Sequence, residues 1–159
     1  MRQRILVSSC LIGKKCAYDG RARTIDSVRE QCRAAGFVDV CPEIEGGLGC
    51  PREAHEIVGG SGEDVLDGKA RVLTRDMKDH TKNFIRGAEI VLERANDNRI
   101  ELAVFKSKSP SCGKGKICAG RFDGMLREGN GVTTALLLKR GIQVFTEKDM
   151  DEAKHLFFN

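Results

Sequence analysis

Three short apolar runs in this chain each lead into polar residues and a cysteine, and that repeated pattern constrains the fold more than any other feature. Ile5-Leu6-Val7 runs into Ser8-Ser9-Cys10, and Val38-Asp39-Val40 runs into Cys41-Pro42-Glu43. Leu102-Ala103-Val104-Phe105 leads into Ser107-Lys108-Ser109-Pro110-Ser111-Cys112-Gly113-Lys114-Gly115-Lys116. Such runs read as buried strands of a parallel sheet. Strands that end in small, polar and basic residues deliver those groups to the carboxyl edge, where open α/β sheets bind ligands. Cys10, Cys41 and Cys112 are therefore expected to meet at one site.

The intervening segments fit an α/β fold, a single domain over residues 1–159 with a mostly parallel, Rossmann-like sheet flanked by helices. A helix is expected over 26–35, capped by Asp26 or Ser27 and stopped by Gly36. With the strands on either side it makes a right-handed β-α-β unit. Residues 44–62 are rich in glycine and read as a long loop, with a helical turn over Arg52 to Ile57. Val65 to Thr74 reads as a hairpin turning at Asp67-Gly68. Phe84, Ala88, Val91, Leu92 and Ala95 recur at helical spacing and mark a helix over 79–96. Residues 122–125 and 128–131 read as loops. A helix over 132–140, a strand over 142–145 and a C-terminal helix over 148–157 complete the chain.

The longest apolar run is too short to span a bilayer, and the N-terminus enters a strand without a secretory pattern, so a cytoplasmic, membrane-free protein is expected. The net charge of +4 suits a small anion as well as nucleic acid and separates neither. Seven cysteines without a secretion signal argue for thiolate chemistry or metal binding over a disulfide framework. No Cys-x-x-Cys is present, so a zinc ribbon, a thioredoxin pair and a ferredoxin-type cluster are not signalled.

Thiolates from distant strand ends are the remaining way to build an iron–sulfur site, and soft iron prefers them. Three thiolates on a four-iron cube leave one iron open to a substrate atom. Cys32 lies at helical spacing with Val28 and reads as a core thiol. Cys50 competes with Cys41 for the third ligand position. Cys16 and Cys118 each follow another cysteine by six residues, and a zinc site from Cys10, Cys16, Cys112 and Cys118 is the rival arrangement.

Glu43, two residues after Cys41, is the expected general base, with Glu45 as its competitor. Ser109 and Ser111 flank Pro110 and stand ready to orient a substrate carbonyl or bond cluster sulfurs. Lys114 and Lys116 are candidates to receive a phosphate. His55, His80 and His155 are scattered, and none sits beside a nucleophile, so a Cys/His hydrolase is not indicated.

Ser8-Ser9-Cys10-Leu11, Cys16-x-Tyr18-Asp19-Gly20, Cys41-Pro42-Glu43-x-x-Gly46-Gly47-Leu48 with Pro51-Arg52, Gly68-Lys69-Ala70-Arg71-Val72 and Ser109-Pro110-Ser111-Cys112-Gly113 together resemble the thiouracil desulfidase family. The resemblance runs from Cys10 to about Phe145. It implies an oxygen-sensitive [4Fe-4S] enzyme that releases hydrogen sulfide from thiolated uracil without net redox chemistry. Cys10, Cys41 and Cys112 would hold the cluster, its unique iron would bind the substrate's sulfur, Glu43 would activate water and Ser109 would assist. The implied partner is a small thiolated pyrimidine or nucleotide, thiouracil or 4-thiouridine monophosphate, with no membrane and no stable nucleic-acid complex. Longer relatives act on transfer RNA through an added module for which this chain has no room. One departure is Cys50, where threonine is expected before Pro51-Arg52.

Overall fold

A computed structural model describes residues 4–150. Its central sheet has four parallel strands: β1 (Ile5–Ser8), β2 (Phe37–Val40), β5 (Leu102–Phe105) and β8 (Gln143–Thr146), lying side by side in the order β2-β1-β5-β8. Leu6 pairs with Val38 on one side and Ala103 on the other, and Ala103 pairs with Val144. The inner strands β1 and β5 are buried along their full length, which is why they read as unbroken apolar runs.

Alternation across the pleat divides the core in two. Leu6, Ala103 and Phe105 pack with Val91, Ala95 and Leu137 of α4 (Thr81–Asp97) and α5 (Val132–Lys139). Ile5, Val7 and Val104 pack on the other face with Val28 and Cys32 of α1 (Asp26–Ala35). The chain leaves β1 toward β2 on one flank, while β5 lies on the other. The gap between β1 and β5 is thus the topological switch point of the sheet.

The hairpin differs from the sequence reading. Residues 62–66 form a short helix, α3 (Gly62–Leu66), capped reciprocally by Ser61 and Asp64. The return strand β4 (Arg71–Thr74) pairs antiparallel with β3 (His55–Val58), within the segment read as loop and helical turn. His55 and Ile57 are buried while Glu56 and Val58 are half-buried, a two-residue period that only sheet pairing satisfies. Ile57 and Val72 then join Phe84, Val132 and Leu136 in a third apolar cluster. A second antiparallel pair, β6 (Lys116–Cys118) with β7 (Leu126–Glu128), overlaps the region read as loops. The expected C-terminal helix lies largely outside the described residues; Glu147–Asp149 form a single 3-10 turn.

Two further features position the site. A one-turn helix after β2, α2 (Pro42–Glu45), lies against α4 so closely that a Cβ on Gly46 would fall on the carbonyl of Asn83, and one on Gly87 on the carbonyl of Pro42. Glycine is required at both positions because two backbones touch there. The N-terminus of α5 sits beneath the turn after β5. Val132 N–H donates to the Pro110 carbonyl (2.8 Å), Thr133 N–H to that of Ser111 (2.9 Å), and Thr134 Oγ1 to that of Cys112 (2.8 Å). The helix's orphan donors thus pin the Ser-Pro-Ser-Cys segment.

Candidate active site

Each inner strand end delivers a thiol. After β1 the chain turns in a short 3-10 helix (Ser9–Ile12) that buries Cys10. Ser9 Oγ donates to Asp39 Oδ2 (2.7 Å) and Lys14 Nζ lies 2.6 Å from the same oxygen, so this turn is tied to β2. Asp39 is half-buried; burial works against its charge, and Lys14 and Ser9 outweigh that to hold the carboxyl below its ordinary range. Cys41 flanks the start of α2, where Pro42 occupies the first helical position and Glu43 the first turn. The Ser8 hydroxyl accepts the Lys106 N–H (3.0 Å), joining the ends of β1 and β5 just before Ser109 and Cys112.

A cavity of about 350 Å³ opens at the switch point, and Cys10, Cys41 and Cys112 all line it, as the sequence reading expects. Cys16 is a fourth thiol in the same wall, buried beside Cys10 and Cys41. Its sequence signal is the six-residue interval after Cys10, which pointed instead to zinc. Cys50 is exposed and turned toward the carbonyls of Lys15 (3.2 Å) and Ala17 (3.4 Å), outside the cavity. Cys41 is therefore the thiol that this segment contributes. Cys32 is buried against α1's core, where burial pushes its thiol up to about 11. Cys118 reaches the cavity half-buried from β6. Among the described residues no three Cys, His, Asp or Glu side chains converge on a point as a single metal ion requires, so the four-thiolate zinc site is not assembled.

The thiols face one another and a carboxylate. Contact with the Cys10 thiol, opposed in part by Cys41 and reinforced by burial, raises Cys16 to about 12. Cys41 is driven far up by the Cys16 thiol, by burial and by the Glu43 charge; Cys112 is driven up by burial first and then by Glu43. Thiols so placed stay protonated near neutrality, and only a metal that takes the thiolate directly displaces their protons.

Glu43 completes the wall. Its Oε1 accepts the Ser111 hydroxyl, and its Oε2 lies 3.6 Å from the Cys41 thiol and 3.8 Å from the Arg52 guanidinium. Ser111 has one proton, and that proton goes to Glu43; at 3.3 Å Ser109 must then donate to Ser111. Ser109 Oγ in turn accepts the Cys112 N–H at 2.7 Å. A directed chain thus runs from the Cys112 amide through Ser109 and Ser111 to Glu43. The resemblance names Ser109 as the assisting residue; in the structure Ser111 is the serine bonded to Glu43, with Ser109 one link behind it. Glu45 pairs with Arg94 (2.6 Å) away from the cavity, so of the two Glu43 is the one that lines it. Glu56 also lines the cavity, with Oε1 accepting the Gly120 N–H (2.9 Å) and the Phe122 N–H (3.3 Å).

Arg52, about 10% exposed, also donates to the carbonyls of Cys16 (3.1 Å) and Gly49 (3.2 Å). It fastens the Cys16 loop and the glycine-rich loop to Glu43. The sequence offered only the Pro51-Arg52 pair as a hint of it. Lys114 lies over the Phe145 ring (5.3 Å) and Lys116 is on β6; neither lines the cavity. Lys106 and Lys108 line it in their place. His55 does line it, with Nε2 2.7 Å from His80 Nδ1.

Fold and site together define a doubly wound α/β protein with a thiol-lined, carboxylate-bearing cavity at the switch point of its sheet. The family model for 2-thiouracil desulfurase matches residues 5–149, and the chain belongs to that family. It is 40% identical over 148 residues to the uncharacterized protein YbbK of Bacillus subtilis (strain 168), covering 93% of this chain and 98% of the relative. A solved structure of the [4Fe-4S]-dependent thiouracil desulfidase TudS matches with a TM-score of 0.85 at 39% identity, covering 98% of both chains. No helix among the described residues is long and apolar enough to cross a membrane.

Proposed function

We propose that this protein is a [4Fe-4S]-dependent thiouracil desulfidase that converts a thiolated uracil and water into uracil and hydrogen sulfide. The observation that carries the reading is the meeting of Cys10, Cys41 and Cys112 with Glu43 in one cavity. The donor set fits the cofactor: the thiols are distributed around a cavity wall, and each thiolate of a cube binds its own iron, so the ligands need not meet at a point. Cys10, Cys41 and Cys112 would hold it. When bound with three protein ligands, the cluster supplies an open Lewis-acidic iron for the substrate's sulfur.

The chain's own groups handle water and protons. Glu43 is fixed through Oε1 by Ser111, which leaves the more weakly engaged Oε2 to accept a proton from water as the oxygen attacks the thiocarbonyl carbon. The same oxygen returns that proton to the departing sulfur and then takes the remaining hydroxyl proton as the carbonyl forms, handing it to the hydrosulfide, so thiocarbonyl and water become carbonyl and hydrogen sulfide with no electrons exchanged. Ser109 keeps Ser111 donating to Glu43 throughout. Arg52 holds the carboxylate and the Cys16 loop in place and offsets the negative charge gathered there. The substrate is the free base or its monophosphate. Lys108 supports the nucleotide, because it lines the cavity with no acidic partner among the described residues.

Protein purified without oxygen is expected to show a broad iron–sulfur absorption band, to consume 2-thiouracil and to release sulfide. Cys112→Ala should lose bound iron and activity together. Full activity in that variant would overturn the assignment. All seven cysteines are unpaired, which fits a reducing, cytoplasmic setting.

A further inference from the structure

Large apolar side chains exposed on this protein are scattered over its surface, with one exception. Of Tyr18, Ile25, Phe37, Ile44, Met77, Met125, Leu126 and Leu138, only Tyr18 lines the cavity. Tyr18 is 50% exposed, while Phe84, the other phenyl ring in the lining, is 1% exposed and lies against His55 at 5.2 Å. Among the described residues, Tyr18 is therefore the one accessible aromatic side chain at the site.

Its backbone is held firmly although the residue is half exposed. The Tyr18 carbonyl accepts the Arg52 N–H at 2.7 Å, and the turn closes through Ala17 N–H to Arg21 (3.1 Å) and Gly20 N–H to Ala17 (2.9 Å). Asp19 anchors Arg23 at 2.7 Å, and the Arg23 guanidinium lies 6.0 Å from the ring centroid. Arg23 also lines the cavity. The loop thus presents a tyrosine and an arginine, the two kinds of flat polar–apolar surface on which nucleobases stack. The Arg52 side chain contacts Glu43, so the Tyr18 backbone and the carboxylate are held by one residue.

We propose that Tyr18 is the stacking surface for the substrate's pyrimidine ring, a specificity residue that favours planar thiolated bases over acyclic thiocarbonyl compounds. The inference rests on the desulfidase reading for its substrate class. It explains why a half-exposed aromatic residue lines a cavity whose thiols and carboxylate are largely buried. It also gives the cavity a means to orient a flat ring, because the thiols and Glu43 address only the reacting carbon and sulfur.

Tyr18 is the chain's single tyrosine and tryptophan is absent, so ultraviolet emission from the protein reports on this ring alone. In the anaerobic holoenzyme, uracil is expected to quench that emission saturably, with a midpoint equal to its inhibition constant, while leaving N-acetyltyrosinamide to simple collisional quenching. Tyr18→Leu, which keeps an apolar side chain and removes the flat face, should raise KM for 2-thiouracil about tenfold, the low end for one base–aromatic stack. Its kcat should hold and its preference for thiouracil over thiourea should shrink, while Tyr18→Phe should behave as wild type. Unchanged emission at a uracil concentration that inhibits the enzyme, or an unchanged KM in Tyr18→Leu, would overturn the proposal. A wild-type protein that releases no sulfide would instead remove the desulfidase reading, and the emission titration would still judge the ring.

Discussion

Two glutamate–serine pairs flank the end of β5 and differ in what surrounds them. Ser107 donates its hydroxyl to Glu147, whose carboxylate also takes the Ser107 N–H at 2.8 Å and the Lys106 ammonium at 3.2 Å. Ser111 donates to Glu43, whose other oxygen meets only the Cys41 thiol at 3.6 Å and the Arg52 guanidinium at 3.8 Å. Glu147 is saturated by strong donors from a single strand end and lies outside the cavity lining. Glu43 lines the cavity with one oxygen weakly engaged. The same residue types make a staple in one place and a proton acceptor in the other, and the difference is the supply of competing donors.

Exchanging each carboxylate for an amide separates the two. Glu43→Gln is expected to lower kcat about a hundred- to ten-thousand-fold, the usual contribution of a general base, with iron content and absorption band retained. Glu147→Gln should leave kcat close to wild type and lower Tm by about 4–8 °C, since a lost charged hydrogen bond costs roughly 2 kcal/mol in a chain of this size. Turnover assays and melting curves on both variants check this. The comparison breaks if Glu147→Gln is as inactive as Glu43→Gln without any loss of Tm.

The serines sharpen it further. Ser111→Ala removes the hydroxyl fixing Glu43 and should lower kcat roughly 10- to 100-fold, the range of one hydrogen bond to a charged group. Ser109→Ala leaves that bond in place but strips the acceptor from the Cys112 amide. Its effect should fall more on iron retention than on kcat. Measured side by side, a larger kcat loss in Ser109→Ala than in Ser111→Ala would reverse the order of the chain.

Much of this architecture was legible in the sequence because buried parallel strands announce themselves as short apolar runs, and the residue after each run sits at a sheet edge. Cys10, Cys41 and Cys112 were marked as candidates by that pattern, while Cys50 and Glu45 stayed open as rivals to Cys41 and Glu43. The pairing of β3 with β4 was not legible, because His55–Val58 hides in a glycine-rich segment and its partner lies beyond an intervening helix. Local turn chemistry at Asp67-Gly68 pointed to the nearer arm. Cys16, Ser111 and Arg52 were each visible as residues. Their roles depend on contacts across 25 residues to Cys41, 68 to Glu43 and 36 to Cys16, which no spacing rule encodes. Glu147 escaped notice for the same reason, at 40 residues from Ser107.

The smallest effect concerns a further polar contact of the cavity wall, that of His55 with His80 behind it. At 2.7 Å one ring must donate and the other accept, so the contact requires at least one neutral ring. Burial lowers the His55 pKa first, the charges of His80 and Arg52 lower it further, and Glu43 opposes them in part. The unfolded chain, titrating near 6.5, therefore binds a proton more readily than the folded one. Stability is complete above that value and declines as pH falls below it toward the depressed folded pKa. Tm should drop by a few degrees between pH 7.5 and 5.5, and less in His80→Gln, which lifts the repulsion on His55. The kcat profile of that variant should follow wild type, because the pair makes no hydrogen bond to Glu43 or Ser111. An altered kcat profile with an unaltered Tm would place this histidine pair with Glu43 among the groups that move protons, and would leave Glu147 as the only purely structural member of the comparison.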